Sequence, residues 1–80
     1  MIDVRWKKPL RVTRDESAGP FLKVVVSQLD DVRRVLDRHG IRYWVDEQYV
    51  SFNGGPLTTV INFGRNGNAD AIQGYLDSAA

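Results

Sequence analysis

Along the chain the apolar positions shift from every second residue to every third or fourth and back, and each shift marks an element. Ile2-Asp3-Val4-Arg5-Trp6-Lys7 alternates apolar with polar, the period of a half-buried strand. Pro9 limits that strand because proline brings no N–H to a ladder, and Leu10 to Thr13 reads as resumed extended chain. Asp15 to Pro20 is a loop by composition, with Gly19-Pro20 as its strongest breaker. Phe21 to Val26 is short, apolar and rich in valine, which predicts a strand. Leu29, Val32, Val35 and Leu36 then recur at helical spacing, with Arg33, Arg34, Asp37 and Arg38 on the wet face. The spacing predicts a helix over Gln28 to His39, with Ser27 as cap, Asp30 and Asp31 in its first turn and Gly40 as the left-handed stop.

Ile41 to Val45 returns to period two, with Ile41, Tyr43 and Val45 on one face and Arg42, Trp44 and Asp46 on the other. Gln48 to Phe52 is a further short strand, Asn53-Gly54-Gly55-Pro56 a turn, and Leu57 to Phe63 another strand. Gly64 to Asn68 leads into a second helix over Ala69 to Ser78, with Asn68 as cap, which buries Ala69, Ile72 and Leu76 and offers Tyr75 as a further buried position. The order β-β-α-β-β-β-α defines an α+β chain. Its strand–helix–strand–strand–helix part is most of a ferredoxin-like split βαβ unit. The expectation is a variant in which residues 2–12 turn back and pair antiparallel with 21–26, in place of the last strand. The sheet is then antiparallel-rich, with two helices on one face and the other face open.

Eighty residues make one domain, 1–80, divided into a basic N-terminal strand or arm (1–14) and a core (21–78). So small a domain has a thin core, and many such domains gain stability by pairing. The chain has no cysteine, which excludes disulfides, thiolate metal sites and thiol catalysis. Met1 to Leu10 lacks the apolar run of a signal peptide and no stretch has the length of a membrane span, so the expected location is the cytoplasm. The net charge of +1 hides an uneven distribution: residues 1–14 carry five basic side chains against Asp3, and the other 66 residues carry six against nine acidic ones. Such a leader is read either as a nucleic-acid arm or as an edge strand whose Lys and Arg residues keep other sheets away.

Two runs carry a resemblance. His39-Gly40-Ile41-Arg42-Tyr43-Trp44-Val45-Asp46-Glu47, and Gly54-Gly55-Pro56 followed by Val60-Ile61-Asn62-Phe63-Gly64-Arg65, resemble runs in short bacterial proteins to which no activity is assigned. The resemblance covers roughly residues 21–78. In layout the chain is also similar to regulatory ferredoxin-like modules of the ACT type, which commonly pair and bind small ligands. That likeness implies a regulatory role as an expectation, and no ACT ligand residue is matched here.

Candidate sites follow from the same pattern. His39 is the only histidine, beside Asp37, Asp46 and Glu47 in sequence, but no nucleophile or triad spacing accompanies it. The expectation is a structural His39 that caps the helix, with no enzymatic activity and no cofactor. Gly64, Arg65 and Gly67 lie in a strand-to-helix loop where an anion can be held. The loop fits neither the dinucleotide fingerprint nor the P-loop, and Asp70 places negative charge beside it. Trp44 and Arg42 project from the open sheet face with Val60, and a tryptophan there asks for a partner. Self-association, or packing of the N-terminal segment through Trp6, answers that demand. The function read from the sequence is therefore a non-catalytic interaction or regulatory module, paired with itself or another protein through Trp44, Arg42, Trp6 and Val60. The rivals are a weak nucleic-acid binder using the basic arm and a small-anion binder or enzyme at residues 64–68.

Overall fold

The N-terminal segment folds partly on itself: strand β1 (Ile2–Asp3) pairs antiparallel with β2 (Lys8–Pro9), around a turn with Lys7 at φ 57°. The computed structural model describes residues 1–51 and 53–79. Strand β3 (Phe21–Val25) runs without a loop into helix α1 (Val26–Arg38). Strands β4 (Trp44–Val45), β5 (Val50–Ser51) and β6 (Leu57–Asn62) and helix α2 (Ala69–Ser78) follow. The chain is α+β with antiparallel pairing throughout. Strand β6 is central: β3 lies along one edge, with Lys23 opposite Val60, and β4 and β5 lie along the other, with Trp44 opposite Asn62 and Val50 opposite Thr58.

One face of this sheet meets both helices. Leu22 and Val24 of β3 and Ile61 of β6 pack with Leu29, Val32, Val35 and Leu36 of α1 and Ile72 and Leu76 of α2, and Phe63 and Leu10 complete the cluster. Each such side chain, fully buried, contributes roughly 1.5–3 kcal/mol. Ile41, Tyr43 and Val45 pack against the same cluster, as the period-two reading requires. Lys23, Thr58, Val60, Asn62 and Trp44 belong to the opposite, helix-free face by alternation.

Several boundaries differ from the sequence expectations. Helix α1 begins at Val26, with Val25 as an extended cap residue and no side-chain cap, so Ser27 lies within it and Asp30 and Asp31 beyond its first turn. At its other end Ile41 N–H reaches Leu36 C=O and Gly40 N–H reaches Asp37 C=O, with Gly40 at φ 66°, which is the expected left-handed stop. Residues 41–43 form no rungs: the ladder with β6 ends at Trp44 opposite Asn62, while on the other edge β6 stays in register with β3, Phe63 N–H donating to Pro20 C=O at 3.0 Å. The strand expected over 48–52 is reduced to Val50–Ser51, with Phe52 outside the described residues, after Asp46 Oδ1 accepts the Gln48 N–H at 3.2 Å and bends the chain. Asn53 and Gly54 both have positive φ, as a type I′ hairpin turn needs. Helix α2 and its Asn68 cap, whose Oδ1 accepts the Ala71 N–H at 3.0 Å, stand where the sequence put them.

The N-terminal strand is the largest correction. Its alternation is real but inverted: Ile2, Val4 and Trp6 are 52%, 55% and 62% exposed, while Asp3 and Arg5 are half-buried. Only Thr13 and Phe21 form a bridge along the outer edge of β3, in place of the ladder expected between 2–12 and 21–26. The segment is held instead by side-chain amides. Gln28 accepts the Val4 N–H and donates to Ile2 C=O, and Gln73 accepts the Val12 N–H and donates to Leu10 C=O. With those bonds made from the helix side, Leu10 enters the core with Met1 and Val12 packed against it, and Ile2, Val4 and Trp6 turn outward.

Candidate functional site

Two surfaces gather the residues singled out from sequence, and Trp44 belongs to both. The first is the open sheet face. Across it Phe21, Asn62 and Trp44 form one row, Lys23 and Val60 the next, and Val25, Thr58 and Val50 a third. Val60 is half-buried at the centre, and Trp44 is 58% exposed. Among the described residues no helix covers this face, and its Val25 corner is sheltered beside Asp3, Arg5 and Trp6 of the N-terminal turn. Trp6 does not cover Trp44, contrary to one expectation: the two indoles line separate cavities. Trp6 is instead overlaid by its neighbour, the Arg5 guanidinium lying 4.7 Å from the ring centroid.

The second surface is a groove of about 410 Å³ between residues 40–44 and the segment from Phe63 through the first half of α2. Ile41, Trp44, Phe63, Ile72 and Tyr75 supply apolar walls, and Arg42 and Arg65 are the charged side chains of its lining. Gly64, at φ 76°, carries the loop past Trp44, where a Cβ would stand 3.2 Å from the indole. Gly67 fits against Phe63 and Pro20, and its N–H closes a turn onto Gly64 C=O at 3.0 Å. Arg65 is anchored by Nε, which donates to Ser17 C=O at 2.9 Å. The sequence treated Trp44 with Arg42 and Gly64 with Arg65 and Gly67 as two separate sites; the fold makes them one groove. Asp70 faces away from it, in an ion pair with Arg14 at the mouth of the neighbouring cleft.

His39 occupies the cap position after α1, but its ring does not reach the free carbonyls as expected. It stacks on Tyr75, with centroids 3.9 Å apart and planes 6° from parallel, and so ties the end of α1 to α2 behind the groove. The sequence offered Tyr75 as a buried position of α2 and not as a site residue; its place three residues after Ile72 carries it to the same wall.

A third cavity, of about 620 Å³, lies between the N-terminal turn and the edge of β3, lined by Asp3, Trp6, Lys8, Pro9, Arg11, Thr13, Phe21 and Lys23. Among the described residues no three His, Asp or Glu side chains cluster as metal ligands would, and no helix is long and apolar enough to cross a membrane. No protein-family model, curated protein or solved structure matches this chain.

Proposed function

We propose that the chain is a non-catalytic interaction or regulatory module on a ferredoxin-like plan, and that it pairs with a second copy of itself through the open sheet face. The plan is supported by the strand order: β3 and β4 both run antiparallel to β6, so they are parallel to each other, with α1 as the crossover between them. The observation that carries the pairing is the face itself, with exposed Trp44 and Val50 flanking Val60 and no covering layer among the described residues. Area points the same way. The chain exposes 5552 Å² where a folded monomer of its mass exposes roughly 4,900 Å², an excess that the sheet face shares with the outward Ile2, Val4 and Trp6.

Sedimentation at about 100 μM, a concentration at which a micromolar dimer is populated, tests the reading. The parent sediments as a dimer, and Trp44→Lys and Val60→Lys each give a folded monomer. A monomeric parent ends the proposal.

A second reading rests on the cavity beside β3, which gathers Trp6 and Phe21 with Lys8, Arg11 and Lys23. Aromatics among cations suit a weakly bound single strand of nucleic acid. Binding of labelled single-stranded RNA at about 150 mM salt, lost when Lys8 and Arg11 become glutamine, is its signature; binding that survives those changes places the site elsewhere.

A further inference from the structure

We infer that the groove between residues 40–44 and 63–75 is a site for a small organic anion with a flat apolar body, an aromatic carboxylate in chemical class. Size comes first. About 410 Å³ lies within the range of small-molecule sites, roughly 300–1,000 Å³, and is too little for a folded partner to enter. The walls come second. Trp44, Ile41 and Tyr75 give accessible apolar surface above a floor of buried Phe63 and Ile72, so a ligand with an apolar plane removes area from water that an inorganic anion leaves wet.

Charge decides the head group. Arg42 and Arg65 line the groove and no carboxylate does. Arg65 is fixed through Nε on Ser17 C=O at the border between the groove and the neighbouring cleft, which Asp15 and Glu16 also line, and a guanidinium matches the two oxygens of a carboxylate as a fork. A neutral aromatic ligand leaves both guanidiniums unanswered. The start of α2 adds nothing to this assignment, because Asn68 already accepts the Ala71 N–H. The site depends on Gly64 in a way that shape explains: a side chain there pushes into Trp44, whose ring forms the outer wall.

The assignment shares Trp44 with the proposed pairing, and one experiment keeps the two apart. The full chain and its Val60→Lys variant are titrated with 2-naphthoate and with 2-naphthamide while amide and indole N–H resonances are followed. The expected result is saturable binding of 2-naphthoate, with shifts at residues 40–44, 63–75 and the Trp44 indole but not the Trp6 indole. The amide binds at least roughly tenfold more weakly, the size of one lost charge-assisted hydrogen bond, and Arg65→Gln and Arg42→Gln lose a similar factor for the acid. No saturation by about 1 mM, equal binding of acid and amide, or unchanged binding in both arginine variants overturns the proposal. Shifts centred on Val60 instead overturn it as well. A monomeric parent that binds 2-naphthoate in this pattern keeps the site and removes the pairing; a dimeric parent that ignores 2-naphthoate does the reverse.

Discussion

Replacing Gly19 with alanine puts a methyl group where two loops touch. Gly19 is buried at φ 88°, a conformation that costs a side chain roughly 1–2 kcal/mol by itself. A Cβ there also stands 2.7 Å from the Arg65 backbone nitrogen and closer still to the Gly64 carbonyl, so backbone, not a flexible side-chain tip, must give way. Overpacking of this kind adds about 1–3 kcal/mol. Gly40 is the internal control: its φ of 66° exacts the same conformational cost, but no atom lies within 4 Å of a Cβ built on it. Gly40→Ala is therefore expected to lose about 1–2 kcal/mol and Gly19→Ala about 2–5 kcal/mol. Against a total stability on the order of 4–12 kcal/mol for 80 residues, the second is a large fraction. Urea unfolding followed by circular dichroism measures both, and the difference between them isolates the contact between the 15–20 and 64–67 loops. If Gly19→Ala costs no more than Gly40→Ala, the loops do not meet as described, and the support beneath Arg65 goes with them.

Gly74→Ala is expected to stabilise by about 0.5–1 kcal/mol and raise the melting temperature by roughly 2–8 °C, since the position is exposed within α2 and a Cβ meets nothing; thermal melts check it. Gln73→Ala strips both amide bonds from the Val12 N–H and Leu10 C=O and is expected to cost about 1–3 kcal/mol, with faster hydrogen exchange at Val12. The Asp15 carboxyl lies below the usual aspartate value because its charged form accepts the Ser17 hydroxyl, and then the Ala18 and Ser17 N–H groups. A depressed folded value gives stability that is present above the unfolded value and lost as pH falls through the folded one, so Asp15→Asn should be less stable than the parent at about pH 7 and converge with it near pH 2, in paired urea titrations.

How legible the fold was depends on where each element finds its hydrogen bonds. Strand β3 and helix α2 were read almost to the residue because the deciding signals are local: a β-branched run after Gly19-Pro20, and an Asn cap ahead of apolar positions at helical spacing. Helix α1 was placed but started late, since Ser27 is a good cap residue and nothing local says that β3 continues straight into the helix. The strand over 41–45 was read by its correct face and overlong, because its length is set by a partner strand whose ladder with it stops at Asn62, just ahead of the turn at Gly64. The groove illustrates the same limit at the level of the site. Arg42 with Trp44 and Gly64 with Arg65 each stood out in sequence, but their meeting depends on the pairing of β4 with β6, which no local pattern encodes.

The inverted N-terminal segment follows from one substitution of bonding partners. A strand that pairs along β3 has its inward face dictated by the pleat, and Ile2, Val4 and Trp6 are spaced for that. Here Gln28 and Gln73 satisfy the segment's backbone from the helices instead, each by one accepted and one donated bond. An amide side chain fixes a dipeptide's backbone as a ladder rung does, but it comes from the helix layer and so holds the segment beside the core, not across the sheet. Leu10 is then the residue that reaches the interior, and β1 and β2 close on each other with their apolar side chains outward. Beyond Thr13 and Phe21 no rung joins this segment to β3, so a cavity opens between them, lined by Trp6, Arg11 and Lys23. Of the basic residues of the leader, Lys8 and Arg11 border this opening, left where a ladder was replaced by two glutamines, while Arg5 lies over Trp6 and Arg14 pairs with Asp70.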